Sequence, residues 1–235
     1  MANIASYSNA QDGKEIASLV TKEIVRLMSQ VLKEDLKALL SILAIMCVGG
    51  GYKAQLKLVD FGVAKELNEI AQSIDLLNNA DADSLQLAII WLECGIALLS
   101  TDTNLRREIS DENPLFMRQN MRVASELIAR LKPNSRSISR VYGVLLPKLV
   151  RDVFGEILSE DCGPLLLADE DRKSFFETIL LPLIARSYSN ALRALCYRTT
   201  GQIITAMDVV HSNFVAIACR AMQGISNAVA EAAAE

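Results

Sequence analysis

Apolar residues recur along this chain at spacings of three and four, and hardly anywhere at spacings of two. From Asp12 onward, Ile16, Leu19, Val20, Ile24, Leu27, Met28, Val31 and Leu32 fall on one side of a 3.6-residue helix. Leu56, Val59, Val63, Leu67, Ile70, Ile74 and Leu77 repeat the pattern further on. A half-buried strand needs alternation, and no run of useful length supplies it. The expected fold is therefore all-α, a compact bundle of about seven helices with flexible or exchanging terminal segments. Composition agrees, since 51% of residues are hydrophobic and only 5% aromatic, which suits packing by Leu, Ile, Val and Ala.

Punctuation sets the expected boundaries. Residues 1–11 are small and polar and read as a flexible arm. Residues 12–104 form an N-terminal helical subdomain and 105–235 an arginine-rich C-terminal one, joined as one continuous globule. Leu36 to Val48 is apolar nearly all round, as a buried helix would be, and Gly49, Gly50 and Gly51 end it. One helix is expected from Tyr52 to Asn78, a turn at Asn78-Asn79, and another helix from the acids of Asp81 to Ser84 through Trp91 to Ser100. Asn113-Pro114 opens a helix to Lys132, stopped by Pro133. A helix from Ser137 to Leu158 contains Pro147, where a kink or break is expected. After the loop SEDCGP, a long helix runs to about Thr199 with Pro182 inside it, and Gly201 ends it. Thr205 and Asp208 then resemble a capping box ahead of a final helix ending in AVAEAAAE.

The mean hydropathy is +0.25, yet no uninterrupted apolar span of about 18 residues exists. Ala38 to Val48 is too short, and Gln86 and Glu93 interrupt Leu85 to Leu99. No membrane span is expected, and the apolar surplus suggests surface buried between chains. The opening MANIASYSNAQDGKE lacks the basic start and apolar stretch of a secretory signal, so a cytoplasmic location is expected, or a virion if the protein is viral. Cys47, Cys94, Cys162, Cys196 and Cys219 are odd in number and mostly embedded in apolar helix patterns, and read as reduced core thiols.

Two short segments resemble known families. Residues 56–65, LKLVDFGVAK, resemble the segment around the DFG turn of protein kinases, where the aspartate holds the nucleotide's magnesium. A kinase also needs a glycine-rich loop, a strand lysine and an HRD-type catalytic loop before that turn. None of these precedes Asp60, and the sole histidine, His211, lies far downstream. Asp60 is instead expected on the polar side of a helix. Residues 201–210, GQIITAMDVV, resemble the last loop and helix of a histone fold, in which TAMDVV would follow a long middle helix. Pro182 would fall inside that helix, and an isoelectric point near 5.2 is poorly suited to wrapping DNA.

Catalytic constellations are not evident. There is no C-x-x-C and no H-x-x-x-H, so neither metal nor cofactor is expected. Covalent catalysis by Ser or Cys wants a paired base, and His211 is the one conventional candidate. The acids Asp81/Asp83 and Asp169/Glu170/Asp171 stand at expected helix starts, where they complement the helix dipole. The protein is not expected to be an enzyme.

Arginine is distributed unevenly. All fourteen arginines but Arg26 lie beyond residue 105. Between Leu105 and Arg151 there are ten bases against four acids, a local net of +6 in a chain whose total is -4. The guanidinium fork suits phosphate better than an ammonium does. The candidate nucleic-acid-binding residues are Arg106, Arg107, Arg118, Arg122, Arg130, Arg136, Arg140, Arg193 and Arg198. Arg118 and Arg122 are four apart, as are Arg136 and Arg140, so two helices meeting near Pro133 would line one groove. Phe116 and Tyr142 are placed to stack on bases, and Arg193 and Arg198 to form an opposite wall. The expected function is that of a non-enzymatic, self-assembling, nucleocapsid-type protein that coats single-stranded RNA and forms a homo-oligomer through its terminal segments. The alternative is a structural or regulatory interaction protein, matrix-like or an adaptor, without nucleic acid.

Overall fold

The structure is a computed structural model, and it describes residues 19, 21–27, 33–73, 82–100, 103–132, 137–159, 169–186 and 189–206. Of these 93% are helical and none lies in a strand, as the periodicity requires. The helix count differs: there are ten among the described residues, where about seven were expected. In chain order they are α1 (21–27), α2 (Lys33–Gly49), α3 (Gly51–Asp60), α4 (Val63–Ser73), α5 (Ala82–Leu99), α6 (Thr103–Glu112), α7 (Leu115–Arg130), α8 (138–159), α9 (169–186) and α10 (Asn190–Ala206). The chain divides into two compact units, Met1–Asn120 and Met121–Glu235. The arm at 1–11, the turn at Asn78-Asn79, the SEDCGP loop after its Ser159 and everything beyond Ala206, with Cys162, Cys219, His211 and Arg136, lie outside the described residues.

Three local causes raise the count. The expected helix from Tyr52 to Asn78 is two helices, because the chain turns at Phe61-Gly62. Gly62 takes φ +78, the left-handed conformation that closes a helix, and its N–H donates to the Val59 carbonyl at 2.7 Å. The kinase-like Asp60 is thus the exposed last residue of α3, at a joint between helices and not at a strand end. The expected long helix to Thr199 is likewise two, α9 and α10. The hydroxyl of Ser189 accepts from the Leu192 N–H at 3.3 Å, the geometry of a serine N-cap that starts α10. Gly201 does not end that helix, which runs on to Ala206. The third cause is α6, absent from the sequence reading because TNLRREISDE has too few apolar residues to mark a stripe; it buries Leu105, Arg106 and Ile109.

The interior of the first unit is built on α2 against α5. Leu36, Leu40, Leu43, Ala44 and Cys47 of α2 are buried. Trp91 of α5 is fully buried, donates its indole N–H to the Leu67 carbonyl of α4 at 2.8 Å, and meets Phe116 of α7 with ring centroids 6.0 Å apart. Gln55 donates to the Cys47 carbonyl at 2.7 Å and the Ala97 carbonyl at 3.2 Å. Both carbonyls belong to last turns, which have no partner within their own helices, so one amide satisfies the ends of α2 and α5 and fixes the start of α3 beside them.

In the second unit, α10 packs against α8 and α9, and Phe154 of α8 stacks on Phe175 of α9 with centroids 3.6 Å apart. Neither internal proline breaks its helix. A proline ring strikes the carbonyl four residues back, here that of Gly143 for Pro147 and Thr178 for Pro182. Both residues sit in π-helical stretches, Val141–Leu145 and Phe176–Leu180, whose wider turns accommodate the ring.

Candidate nucleic-acid interface

α7 positions the central arginines. Its inner side carries Phe116, Met117, Asn120, Met121, Val123, Ala124, Leu127 and Ile128, all buried. That spacing leaves Leu115, Arg118, Arg122 and Ala129 exposed along one outer stripe, with Arg118 and Arg122 about 6 Å apart along the axis, one turn of helix. Arg130 is half-buried and bound to Glu126, one turn back, at 3.1 Å, so an acid of the same helix already offsets its charge. Lys132 follows, exposed.

The other candidates are placed unequally. Arg107 of α6 is exposed, whereas its neighbour Arg106 is 1% exposed. Successive helix positions point about 100° apart, which the even count of arginines along the sequence ignores. Arg106 is therefore not at the surface where a phosphate contact was expected. Arg140 of α8 is exposed. On α10, Arg198 is exposed and Arg193 half-buried, its Nε buried without a hydrogen-bond partner. Five residues apart, these two point to different sides of α10 and do not form one wall. Burial pushes the Tyr197 phenol upward, and the nearby Arg193 guanidinium opposes that shift.

Of the two proposed stacking aromatics, Phe116 is not available. Phe116 is fully buried against Trp91. Tyr142 is half-buried, and its hydroxyl donates to the Ile128 carbonyl at 3.4 Å. Beside the α7 stripe, in the second unit, Ser125, Ile128 and Ala129 face Thr178, Leu181, Pro182 and Ala185 across a largely apolar groove of about 320 Å³.

The described thiols occupy the cores. Cys47, Cys94 and Cys196 are buried and free. Burial pushes the Cys196 thiol up to about 12. Among the described residues, no group of three or more His, Cys, Asp or Glu could hold a metal ion, and no helix is long and apolar enough to cross a membrane. One feature escaped the sequence reading, which placed all of Leu36 to Val48 in the core: Ile45 and Val48 are exposed. The signal was present as the lack of any charge between Lys37 and Lys53. Comparison of the chain with protein-family models, curated proteins and solved structures finds no match.

Proposed function

We propose that this chain is a non-enzymatic, self-assembling protein that binds single-stranded nucleic acid through its phosphates, in the manner of a nucleocapsid-type coat acting inside a cell or virion. The supporting observation is the pair Arg118 and Arg122, exposed one turn apart on α7 within a segment of net +6. Each guanidinium fork can take one phosphate of a strand laid along α7. Arg107, Arg140 and Arg198 add exposed positive charge elsewhere on the chain. Contacts of this kind hold a strand without reading its sequence.

The test begins with protein purified without nuclease. Absorbance at 260 against 280 nm is read before and after a high-salt wash, and nucleic acid that salt strips away is the expected result. Replacing Arg118 and Arg122 together by Ala is expected to weaken binding of single-stranded RNA about tenfold or more. It should also flatten the salt dependence by about 1.4 in log–log slope, two contacts at about 0.7 each. Unchanged affinity and slope would remove α7 from the interface.

A second reading, a helical interaction or matrix-like protein without nucleic acid, is favoured by the exposed apolar Ile45, Val48 and Tyr52. Protein that purifies free of nucleic acid yet elutes as a large oligomer supports it over the first.

A further inference from the structure

No charged residue occurs between Lys37 and Lys53. Half of α2 uses that stretch to pack on α5; the other half faces outward. Ala38, Ile45, Val48 and Gly49 are exposed, and Tyr52, at the start of α3, continues the run. Ile45 is 70% exposed, Val48 55% and Tyr52 48%. Spacings of seven and three place Ala38, Ile45 and Val48 on one side of α2, and Tyr52 follows just past the break at Gly51. The outward Ser41 does not break it, because its hydroxyl turns back to the Lys37 carbonyl at 2.7 Å.

Exposed charge stands at the two ends of the stripe, and at the amino end Lys37 is already paired with Asp83 at 3.1 Å. Asp35 is exposed at the amino end. Lys53 and Lys57, one turn apart on α3, are exposed at the other end, where the Gln55 bonds hold the first turn of α3 against the end of α2. We propose that this stripe docks a second copy of the chain, α2 against α2, antiparallel about a two-fold axis near Ile45. The inference deepens the self-assembly half of the function proposed above and is independent of its nucleic-acid half.

Self-complementarity picks the occupant. About an axis near Ile45, Ile45 meets its own copy, and the amino end of one α2, with Asp35, faces the carboxyl end of the other, where α3 begins with Lys53. A parallel pairing would put Asp35 on Asp35 and the lysines on the lysines, which repel. A partner of one charge sign would satisfy one end and oppose the other. The antiparallel copy satisfies both, and the two helix dipoles then also oppose each other favourably.

The experiment uses the full chain, treated with nuclease and kept in high salt so that RNA cannot bridge copies, with mass measured by light scattering across a concentration series. Wild type is expected to self-associate, and Ile45→Asp with Val48→Asp to weaken association about tenfold or more, because docking would bury unpaired carboxylates. Asp35→Lys should weaken it less, and adding Lys53→Glu and Lys57→Glu to Asp35→Lys should restore it, a rescue that no effect on folding alone predicts. Ile45→Cys with oxidised glutathione should give a disulfide-linked dimer beyond any wild-type background, and Val144→Cys, exposed in the second unit, should not. A wild type that is monomeric throughout overturns the proposal. So does an assembly unmoved by Ile45→Asp with Val48→Asp and unlinked through Cys at 45, which would leave self-assembly to another surface. Neither outcome touches the Arg118 and Arg122 test, so the two readings fail separately.

Discussion

α2 and α5 are near equals as sequences and opposites as neighbours. Both are apolar over most of their length, LSILAIMCV in one and LAIIWLECGIALL in the other. In α5 every residue from Leu87 to Leu99 is buried except the half-buried Glu93. α2 buries one side and leaves Ile45 and Val48 in water. The difference lies in what surrounds each. α5 packs on α2, reaches α4 through the Trp91 indole and meets Phe116 of α7, so it has cover on several sides. Apolar composition says that a helix needs cover; it does not say that its own chain supplies it.

The largest expected contrast is between Trp91 and Ile45. Trp91→Ala removes a fully buried indole, its contact with Phe116 and its bond to the Leu67 carbonyl, and is expected to cost about 3–5 kcal/mol of stability. Ile45→Ala, read on dilute protein so that association does not contribute, is expected to change stability by less than about 0.5 kcal/mol. Urea denaturation measures both. Equal losses would mean that α2 is covered on both sides and would remove the docking face.

How much of this was legible follows from where the signals live. Helical periodicity is a property of neighbours in sequence, so the all-α class and the boundaries at Gly49–Gly51 and after Leu99 could be read directly. The turn at Gly62 and the cap at Ser189 depend on single residues inside otherwise helical patterns, and were missed. Pro182 lies inside its helix as read, while at Pro147, where a kink or break was expected, the helix does not break, because a π turn in the preceding residues absorbs the ring. For the candidate site, the sequence placed Arg118 and Arg122 on one helix face, and both are exposed. It could not separate Arg107 from buried Arg106, nor foresee Phe116 inside, since those outcomes depend on which side of α6 and α7 meets the rest of the first unit.

Glycine supplies a sharper comparison, because the same substitution should act with opposite sign on the two helices. A Cβ added at Gly95 of α5 would lie 2.0 Å from the Asn120 side-chain oxygen. Asn120 has no room to yield: it is fully buried, and its amide donates to the Phe116 carbonyl at 2.9 Å. Gly95→Ala is expected to cost about 1–3 kcal/mol despite alanine's better helix propensity. A Cβ at Gly49 of α2 meets nothing within 4 Å, so Gly49→Ala is expected to stabilise, by up to about 1 kcal/mol. A loss at Gly49 as large as that at Gly95 would contradict the openness of the α2 face.

The smallest effect is a titration at the seam between the two helices. Cys94 of α5 donates its S–H to the Leu40 carbonyl of α2 at 3.6 Å, and both it and Cys47 of α2 are fully buried. The influence of the Cys47 side chain first, and burial second, push the Cys94 thiol well above its ordinary 9.0. Since the folded state holds the proton and the unfolded chain releases it, the stabilisation is complete below about pH 9 and is lost progressively as pH rises from there toward the folded-state value. For one thiol the loss at pH 9.5 is expected to be under about 1 kcal/mol. The readout is the fall in urea midpoint between pH 8 and 9.5, compared between wild type and Cys94→Ala, with Cys196 present in both so that its own upward shift cancels. Wild type should fall further. Identical falls would mean that water reaches the Cys94 thiol, and then the inner side of α2 would be no better sealed than its outer side, which removes the basis for assigning the two sides different partners.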